Sequence, residues 1–175
     1  MNILNAVTLT AISAALLLMT ACSNDENRPR SAQPETTATE TLTVYKSPTC
    51  GCCSKWQDHL TASGLSNQGQ NTELMSQLKN ELGIRPQYRS CHTGVSKNGY
   101  VFEGHVPAKY IKQFLDNPPD NAIGLSVPAM PIGSPGMEVD NGKGGTKFMA
   151  YRVLLLKNDG STEVYASVTD YEQQF

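Results

Sequence analysis

The most informative feature of this sequence is a cluster of three cysteines within four consecutive residues, Cys50-Gly51-Cys52-Cys53. The chain has five cysteines in total, so more than half of its thiols lie in one short turn. A single cysteine fills a gap in a hydrophobic core as well as three do, and packing therefore does not account for the cluster. Three neighbouring thiols indicate chemistry on sulfur, on a bound metal, or on both.

Cys50 and Cys53 have the spacing of the C-x-x-C motif, in which two cysteines interconvert between a dithiol and a disulfide. Cys91 adds a fourth thiol and is followed directly by His92. Within the cluster only the pairing of Cys50 with Cys53 is geometrically easy, because a bridge between the adjacent Cys52 and Cys53 would be strained. Two structural disulfides are the plain alternative. A purely redox C-x-x-C motif leaves Cys52, Cys91 and His92 without a role.

A metal site accounts for more of these residues. A tetrahedral zinc site usually combines a C-x-x-C pair with a second pair from elsewhere in the chain, which Cys91 and His92 would supply. Cys52 would then be surplus. Thiolates also select Cu(I), and neighbouring thiolates that bridge several Cu(I) ions would use Cys52 as well. The third cysteine therefore favours a polynuclear copper site, with zinc as the less favoured metal.

The three histidines differ in their contexts. His92 follows a cysteine, and His105 lies in a glycine-flanked turn before a predicted helix. Each can bind a metal through one ring nitrogen while a carbonyl or a carboxylate holds the other, and Glu103 or Glu138 is a candidate carboxylate. A turn histidine that caps backbone groups is the alternative. His59 lies on a predicted helix and is interpreted as a surface or packing residue.

Two methionines extend the set of candidate ligands. Met130 and Met137 lie in a loop rich in proline and glycine, and their thioether sulfurs suit Cu(I). Methionine is also an ordinary gap-filling residue, so both interpretations stay open. The predicted metal ligands are Cys50, Cys52, Cys53, Cys91, His92, His105, Met130 and Met137.

The elements that must position these residues indicate a mixed α/β domain. The segment Thr41–Lys46 alternates and is rich in β-formers, which predicts a first strand. The spacing of Cys53, Trp56 and Leu60 predicts a helix that ends near Gly64. Further predicted elements are a second helix over residues 74–82 that stops at Gly83, a short strand over residues 87–90, a third helix that begins at Pro107, and a hairpin of residues 151–156 and Thr162–Val168.

This order of elements is that of a thioredoxin-like fold with a C-terminal β-hairpin. In such folds the first cysteine lies at the N-terminus of a helix, where unpaired amides and the helix dipole favour a thiolate. Cys50 has that position here, and Val127-Pro128 would be the counterpart of the cis-proline loop that faces the cysteines. The predicted thioredoxin-like, metal-binding domain covers residues 41–175.

The residues before this domain have the pattern of an export signal and a tether. Residues 1–21 contain no charged residue and end in LLMTA before Cys22. This pattern is typical of a lipoprotein signal peptide, after which Cys22 is lipidated; a plain cleaved signal and a retained anchor are the alternatives. Residues 22–40 have almost no apolar content and predict a flexible linker. We therefore expect the domain to lie in the periplasm, held to a membrane through the lipid on Cys22.

Length and charge narrow the class of protein. With 175 residues, of which 39% are hydrophobic, the chain is long enough for one domain with its own core. The formal net charge is -2, and the sequence has neither a basic face for nucleic acid nor an acidic run for bulk storage of cations. No nucleic-acid partner is expected.

Over about residues 42–156 the chain resembles the periplasmic CopG-type copper-resistance proteins. The resemblance depends on five strings in the same order: YKSPTCGCC, Trp56 with His59-Leu60, Ser90-Cys91-His92-Thr93, EGHVP ending at Pro107, and VPAMPIGSPGME beginning at Val127. It implies a thioredoxin-like domain with a cysteine-ligated copper cluster that binds copper or interconverts Cu(I) and Cu(II) during resistance. Ala129 departs from the family, whose members often have glycine there. By position, the matching thiols are Cys50, Cys52, Cys53 and Cys91.

Two functions from different classes therefore compete. The first is a periplasmic copper-binding protein for copper resistance, and whether it is also an enzyme, a copper oxidoreductase, stays open. Its partners would be copper ions and a periplasmic copper chaperone, exporter or oxidase. The second function is a thiol–disulfide oxidoreductase in which Cys50 attacks and Cys53 resolves. A structural zinc module is a third interpretation.

Overall fold

The computed structural model describes residues 40–175. The predicted signal peptide over residues 1–21, the lipidation site Cys22 and the rest of the predicted linker up to residue 39 lie outside the described residues. Within residues 40–175, no helix is both long enough and apolar enough to span a membrane.

The described residues form one large mixed sheet, a small two-stranded sheet, three α-helices and two short 3₁₀ turns. The helices are α1 (Gly51–Ala62), α2 (Met75–Glu81) and α3 (Ala108–Asp116). The strands are β1 (Thr41–Lys46), β2 (Ser66–Asn71), β3 (Thr93–Val95), β4 (Val101–Gly104), β5 (Ala122–Val127), β6 (Val139–Asp140), β7 (Thr146–Lys147), β8 (Tyr151–Lys157) and β9 (Thr162–Val168). The 3₁₀ turns are Pro86–Tyr88 and Tyr171–Gln174.

The large sheet has the strand order β2-β1-β3-β4-β5-β8-β9, and β6 and β7 form the small sheet. β1 is parallel to β2 and β4 is parallel to β5, whereas the other neighbours are antiparallel. Since parallel neighbours need a crossover connection, α1 links β1 to β2 and α3 links β4 to β5. The fold is therefore mixed α/β with a C-terminal hairpin of β8 and β9, as the sequence predicted.

The main core is formed by one face of the large sheet together with α1 and α3. In β1, Leu42 and Val44 are fully buried and alternate with the more exposed Thr43 and Tyr45, because successive side chains of a strand point to opposite faces. The core cluster contains Leu42, Val44, Trp56, Leu60, Leu65, Phe102, Val106, Ile111, Phe114, Leu125, Val127, Tyr151, Val153 and Val168. A smaller cluster of Ile84, Val101 and Leu156 covers part of the other face.

The predictions of the first strand, the helices and the terminal hairpin are confirmed. The α1 helix begins two residues earlier than predicted, because Cys50 is its N-cap, and its buried residues are the predicted Cys53, Trp56 and Leu60. Gly64 follows the helix with a φ of 78°, a left-handed conformation that glycine adopts without steric cost. The α2 helix lies within its predicted bounds, and α3 begins one residue after Pro107.

The predicted strand over residues 87–90 is wrong. Pro86 opens the turn Pro86–Tyr88, because proline fixes φ and has no N–H for a strand ladder. No apolar pattern predicts β2, because its residues SNQGQN are polar and mostly exposed. This strand forms through its pairing with β1, so tertiary context overrides the weak strand propensity of its residues.

Candidate metal centre

Four chain segments meet at one edge of the large sheet, and the strand register explains why. Tyr45 near the end of β1 pairs with Thr93 at the start of β3, and Thr93 pairs with Glu103 in β4. Gly104 at the end of β4 pairs with Val127 at the end of β5. The segments that gather there are the loop into α1 with the cysteine cluster, Cys91-His92 before β3, His105 after β4, and the loop that follows β5.

The cysteine cluster lies at the first turn of α1. Cys50 and Cys53 form a disulfide with Cα atoms 5.4 Å apart, which is the pairing that sequence geometry favoured. Cys52 Sγ lies 3.5 Å from Cys50 Sγ and 3.9 Å from Cys91 Sγ. All four sulfur atoms lie within 4.8 Å of one another. The structure contains one disulfide, not two, since Cys52 and Cys91 are unbridged within the described part of the chain.

Cys91 also belongs to a second group, with the two buried histidines. Its Sγ atom lies 3.2 Å from Nδ1 of His92 and 3.3 Å from Nε2 of His105. These three ligand atoms also lie within 4.8 Å of one another, and both imidazole rings are fully buried. Cys91 is therefore common to the group of four sulfurs and to the group of one sulfur and two nitrogens.

A backbone carbonyl orients the ring of His105. Nδ1 of His105 lies 2.8 Å from the carbonyl oxygen of Pro135, and because a carbonyl only accepts, Nδ1 must carry the proton. Burial lowers the pKa of His105, against the opposing effects of the Pro135 carbonyl and of Glu138. The ring is therefore neutral, with the lone pair of Nε2 directed to Cys91.

His92 has a buried ring nitrogen without a partner. Burial lowers the pKa of His92 well below its usual value, and the nearby His105 and Lys79 lower it further. Nε2 of His92 makes no hydrogen bond within residues 40–175, and an unsatisfied buried polar atom costs about 1–3 kcal/mol. The Trp56 ring packs against the imidazole with a centroid distance of 4.3 Å. The neutral ring thus lies against a thiol with Nε2 unpaired, which fits a site that binds a ligand.

The Cys91 thiol is protonated at neutral pH. Burial, together with the neighbouring Cys52, raises the pKa of Cys91 to about 12. A metal ion that binds sulfur replaces the thiol proton, so a metal would convert Cys91 from thiol to thiolate. The half-buried thiol is therefore a poor nucleophile at neutral pH.

The chemistry of the donor atoms fits a soft or borderline metal ion. Sulfur suits Cu(I) and zinc, and imidazole suits copper and zinc, whereas magnesium and calcium require oxygen. Among the described residues, both groups consist of cysteine and histidine without a carboxylate. The residues that would hold a metal are Cys52, Cys91, His92 and His105, together with Cys50 and Cys53 once their disulfide is reduced.

The two methionines lie on the loop that covers this centre. Met130 is 49% exposed, and the Met137 amide donates to the carbonyl of Ser134 at 2.7 Å. The loop approaches α1 closely, since a Cβ on Gly136 would lie 2.7 Å from the carbonyl oxygen of Cys52. Gly136 also has a φ of 86°, so both space and conformation require glycine there. The role of Met130 and Met137 as ligands stays a prediction.

The two carboxylates suggested as histidine partners have other roles. Glu103 accepts hydrogen bonds from Lys79, from the Ser90 amide and from Thr93. Glu138 accepts a hydrogen bond from the Gly136 amide at 2.8 Å. The prediction of a carboxylate partner for His105 is therefore wrong, and the alternative of a carbonyl, supplied by Pro135, is correct.

His59 has a structural role. Its Nε2 accepts a hydrogen bond from the Ala108 amide at 3.0 Å, which satisfies an amide at the start of α3. Burial lowers the pKa of His59, so the neutral ring that accepts this bond is favoured. The interpretation of His59 as a packing residue is confirmed.

The loop after β5 lies beside the segment that precedes Cys91. The Ala129 amide donates to the carbonyl of Arg89 at 3.3 Å, and the Ser90 hydroxyl donates to the Ala129 carbonyl. Ala129 has a φ of 61°, a left-handed conformation that costs a residue with a Cβ roughly 1–2 kcal/mol. A glycine at this position would adopt the same conformation without that cost.

Two residues at the centre were missed from the sequence. The spacing of Trp56 places it only on a helix, and nothing in the pattern around Lys79 distinguishes it from a surface lysine. In α2 it is Lys79 that is buried, whereas Leu74 is 62% exposed. A buried lysine has no sequence signature, because its partner depends on the register between β3 and β4.

Comparison with known proteins gives two kinds of match. Residues 88–137 match the family described as "Protein of unknown function, DUF411". Two solved structures, described as "Copper resistance protein copG- Form 1" and "Copper resistance protein copG- Form 2", are each 36% identical to the chain with a TM-score of 0.67. Each match covers 74% of this chain and 98% of the other. Among curated protein sequences, none matches the chain significantly.

Proposed function

Because the chain belongs to the family of the copper resistance protein CopG, we propose that it binds copper ions in copper resistance. The observation that carries the proposal is the convergence of four sulfur atoms and two imidazole nitrogens at one edge of the sheet. The name of the relatives supports copper as the metal, and the donor atoms support it on independent chemical grounds. Zinc remains the less favoured metal.

The proposed site is polynuclear. A tetrahedral ion takes four ligands, and the two groups around Cys91 offer six donor atoms. The sulfur atoms of Cys50, Cys52 and Cys91 follow one another at 3.5 and 3.9 Å, a spacing that allows thiolates to be shared between neighbouring Cu(I) ions. Cys52, in the middle of this row, is the residue that a mononuclear zinc site would leave unused.

The Cys50–Cys53 disulfide adds a redox step to the proposal. A disulfide that accepts two electrons and two protons becomes two thiols. Two Cu(I) ions would supply these electrons and leave as two Cu(II) ions, and the reverse reaction would reduce Cu(II) and reform the disulfide. The protein would then be a copper oxidoreductase, and its reduced form would bind more Cu(I) than its oxidised form.

The fold and location belong to the same proposal. The parallel β1-α1-β2 unit, the antiparallel β3 and β4 and the cysteine pair at the start of α1 support a thioredoxin-like fold. The apolar leader and Cys22 support a periplasmic lipoprotein. In that compartment the protein partner would be a copper chaperone, an exporter or a copper oxidase.

A thiol–disulfide oxidoreductase is the second candidate. The observation in its favour is that Cys50 is the N-cap of α1 and is disulfide-bonded to Cys53, since a helix N-terminus stabilises an attacking thiolate. This function does not use Cys52, Cys91 or the two buried histidines. The two candidates therefore make opposite predictions for the Cys52→Ser variant.

Anaerobic titration with Cu(I) tests the proposal. We expect the fully reduced protein to bind more than one Cu(I) per chain and the disulfide form to bind fewer, because oxidation removes two thiolates. Copper and protein are quantified after desalting, and Cys52→Ser serves as the matched variant with reduced capacity. Binding of one zinc and no more than one copper would contradict the proposal. Full insulin reduction by Cys52→Ser, together with unchanged Cu(I) capacity, would favour the second candidate.

A further inference from the structure

A buried ion pair lies beside the segment that carries Cys91 and leads into β3. Lys79 of α2 donates to Glu103 of β4, and their side chains are only 4% and 0% exposed. A buried ion pair is a poor source of stability, because the cost of desolvating two charges offsets much of their attraction. Hydrophobic residues of similar size would often stabilise the core equally well. Stability alone therefore does not explain why Lys79 and Glu103 are buried here.

The pair makes hydrogen bonds on both sides of the Cys91-His92 dipeptide. The carboxylate of Glu103 accepts from the Ser90 amide at 2.6 Å and from the Thr93 hydroxyl at 2.6 Å. The ammonium of Lys79 donates to the Ser90 carbonyl at 2.8 Å. The residue before the dipeptide is therefore held through both of its backbone groups, and the residue after it is held through its side chain.

At Ser90, which lies before β3, these bonds take the place of backbone pairing with a neighbouring strand. β3 starts only at Thr93, and the carbonyl of His92 accepts a backbone hydrogen bond from the Gly104 amide at 3.0 Å. For Ser90 the charged side chains supply the amide and carbonyl partners that a neighbouring strand would otherwise provide. The two charges cancel, so the pair holds the segment without placing a net charge beside a cation site.

We propose that Lys79 and Glu103 are positioning residues that fix Cys91 and His92 in the geometry of metal ligands. They set copper affinity without contacting the metal, and the inference rests on the proposed function. Loss of groups that orient metal ligands typically weakens metal affinity by about 10–100-fold. The same loss leaves the number of ligands, and so the copper stoichiometry, unchanged.

The main test compares Glu103→Gln with a matched control. The control is Glu163→Gln, which makes the same chemical change in the surface pair of Lys157 and Glu163, where the side chains are 23% and 63% exposed. Cu(I) affinity is measured on the reduced full-length chain by competition with a chromophoric chelator. We expect about 10–100-fold weaker binding for Glu103→Gln at unchanged stoichiometry, and wild-type affinity for Glu163→Gln.

A second variant separates positioning from stability. In Lys79→Met combined with Glu103→Gln no buried charge is left unpaired, so the variant should fold with a midpoint of thermal unfolding near that of the wild type. Its Ser90 carbonyl has lost the Lys79 donor, and we expect its Cu(I) affinity to be at least about tenfold below wild type. Quenching of Trp56 fluorescence reports binding locally, because this single tryptophan packs against His92.

The outcomes are distinguishable. Weak binding by the folded double variant supports positioning, because a purely structural role would restore affinity together with stability. Wild-type affinity in the folded double variant would overturn the inference and leave the proposed function intact. A wild-type protein that binds no Cu(I) would overturn the proposed function and the inference with it.

Discussion

The two sides of the candidate centre are built differently. The helix side, with Cys50, Cys52 and Cys53, offers only sulfur and contains a disulfide at the start of α1. The strand side, with His92 and His105, is fully buried and offers nitrogen. Backbone and ion-pair contacts fix the strand side, whereas oxidation and reduction change the number of thiolates on the helix side.

This difference assigns two properties of a metal site, its capacity and its affinity, to different parts of the centre. Under the proposed function, the redox state of the helix side would determine how many thiolates are available, and so how many copper ions bind. The geometry of the strand side would in turn set how tightly copper binds, because preorganised ligands lose less conformational entropy on binding. Cys91 is the one residue common to both groups of donors.

The largest effect is expected for Cys91→Ser, which removes the thiol that the two sides share. We expect Cu(I) affinity to fall by more than about 100-fold, since loss of a ligand should exceed the effect of losing a group that orients one. Cys50→Ser removes a sulfur from the helix side alone and should cost less. Competition with a chromophoric Cu(I) chelator measures both variants. Equal losses of Cu(I) affinity in the two variants would contradict the view that Cys91 is shared by the helix side and the strand side.

A smaller effect on Cu(I) affinity is expected for each change of one pH unit, and it tests the role of the Cys91 thiol. The pKa of its thiol is raised to about 12, so Cu(I) must displace a proton to bind, and affinity should rise with pH. The slope is up to about tenfold per pH unit for each displaced proton between roughly pH 6 and 8. Proton release is measured with an indicator dye in weak buffer, and Cys91→Ser should release about one proton fewer. Affinity that does not change with pH would contradict this prediction.

The smallest effect is expected for His59→Ala, because His59 lies on α1 outside both groups of donor atoms. His59 accepts a hydrogen bond from the Ala108 amide and contacts neither group of donors. Its loss should lower the free energy of unfolding by about 1 kcal/mol, as for other helix caps, with unchanged Cu(I) affinity. Urea denaturation measures the first quantity and chelator competition the second. A clear loss of copper affinity would place His59 in the centre after all.

The sequence was informative where chemistry depends on neighbours in the chain. Cys50 and Cys53 at a helix start, and the adjacent Cys91 and His92, could be recognised from spacing alone. The sequence also pointed to His105, because a glycine-flanked turn before a helix is a recognisable setting. These features are local, and the structure places all of these residues together.

Other features depend on register between distant segments and could not be predicted. Lys79 acquires its role only because β4 brings Glu103 opposite Thr93. The carbonyl partner of His105 comes from Pro135, 30 residues further along the chain. The residues predicted as a strand over 87–90 follow the turn that Pro86 opens, and the Ser90 amide then bonds to the Glu103 side chain rather than to a neighbouring strand.

The peptide unit between Pro135 and Gly136 has a mechanical consequence for the centre. The carbonyl of Pro135 holds His105, while Gly136 lies against the backbone of Cys52 and Trp56 in α1. This planar, rigid peptide unit therefore contacts both the helix side and the strand side. A displacement of the first turn of α1 would therefore also shift the carbonyl that orients His105.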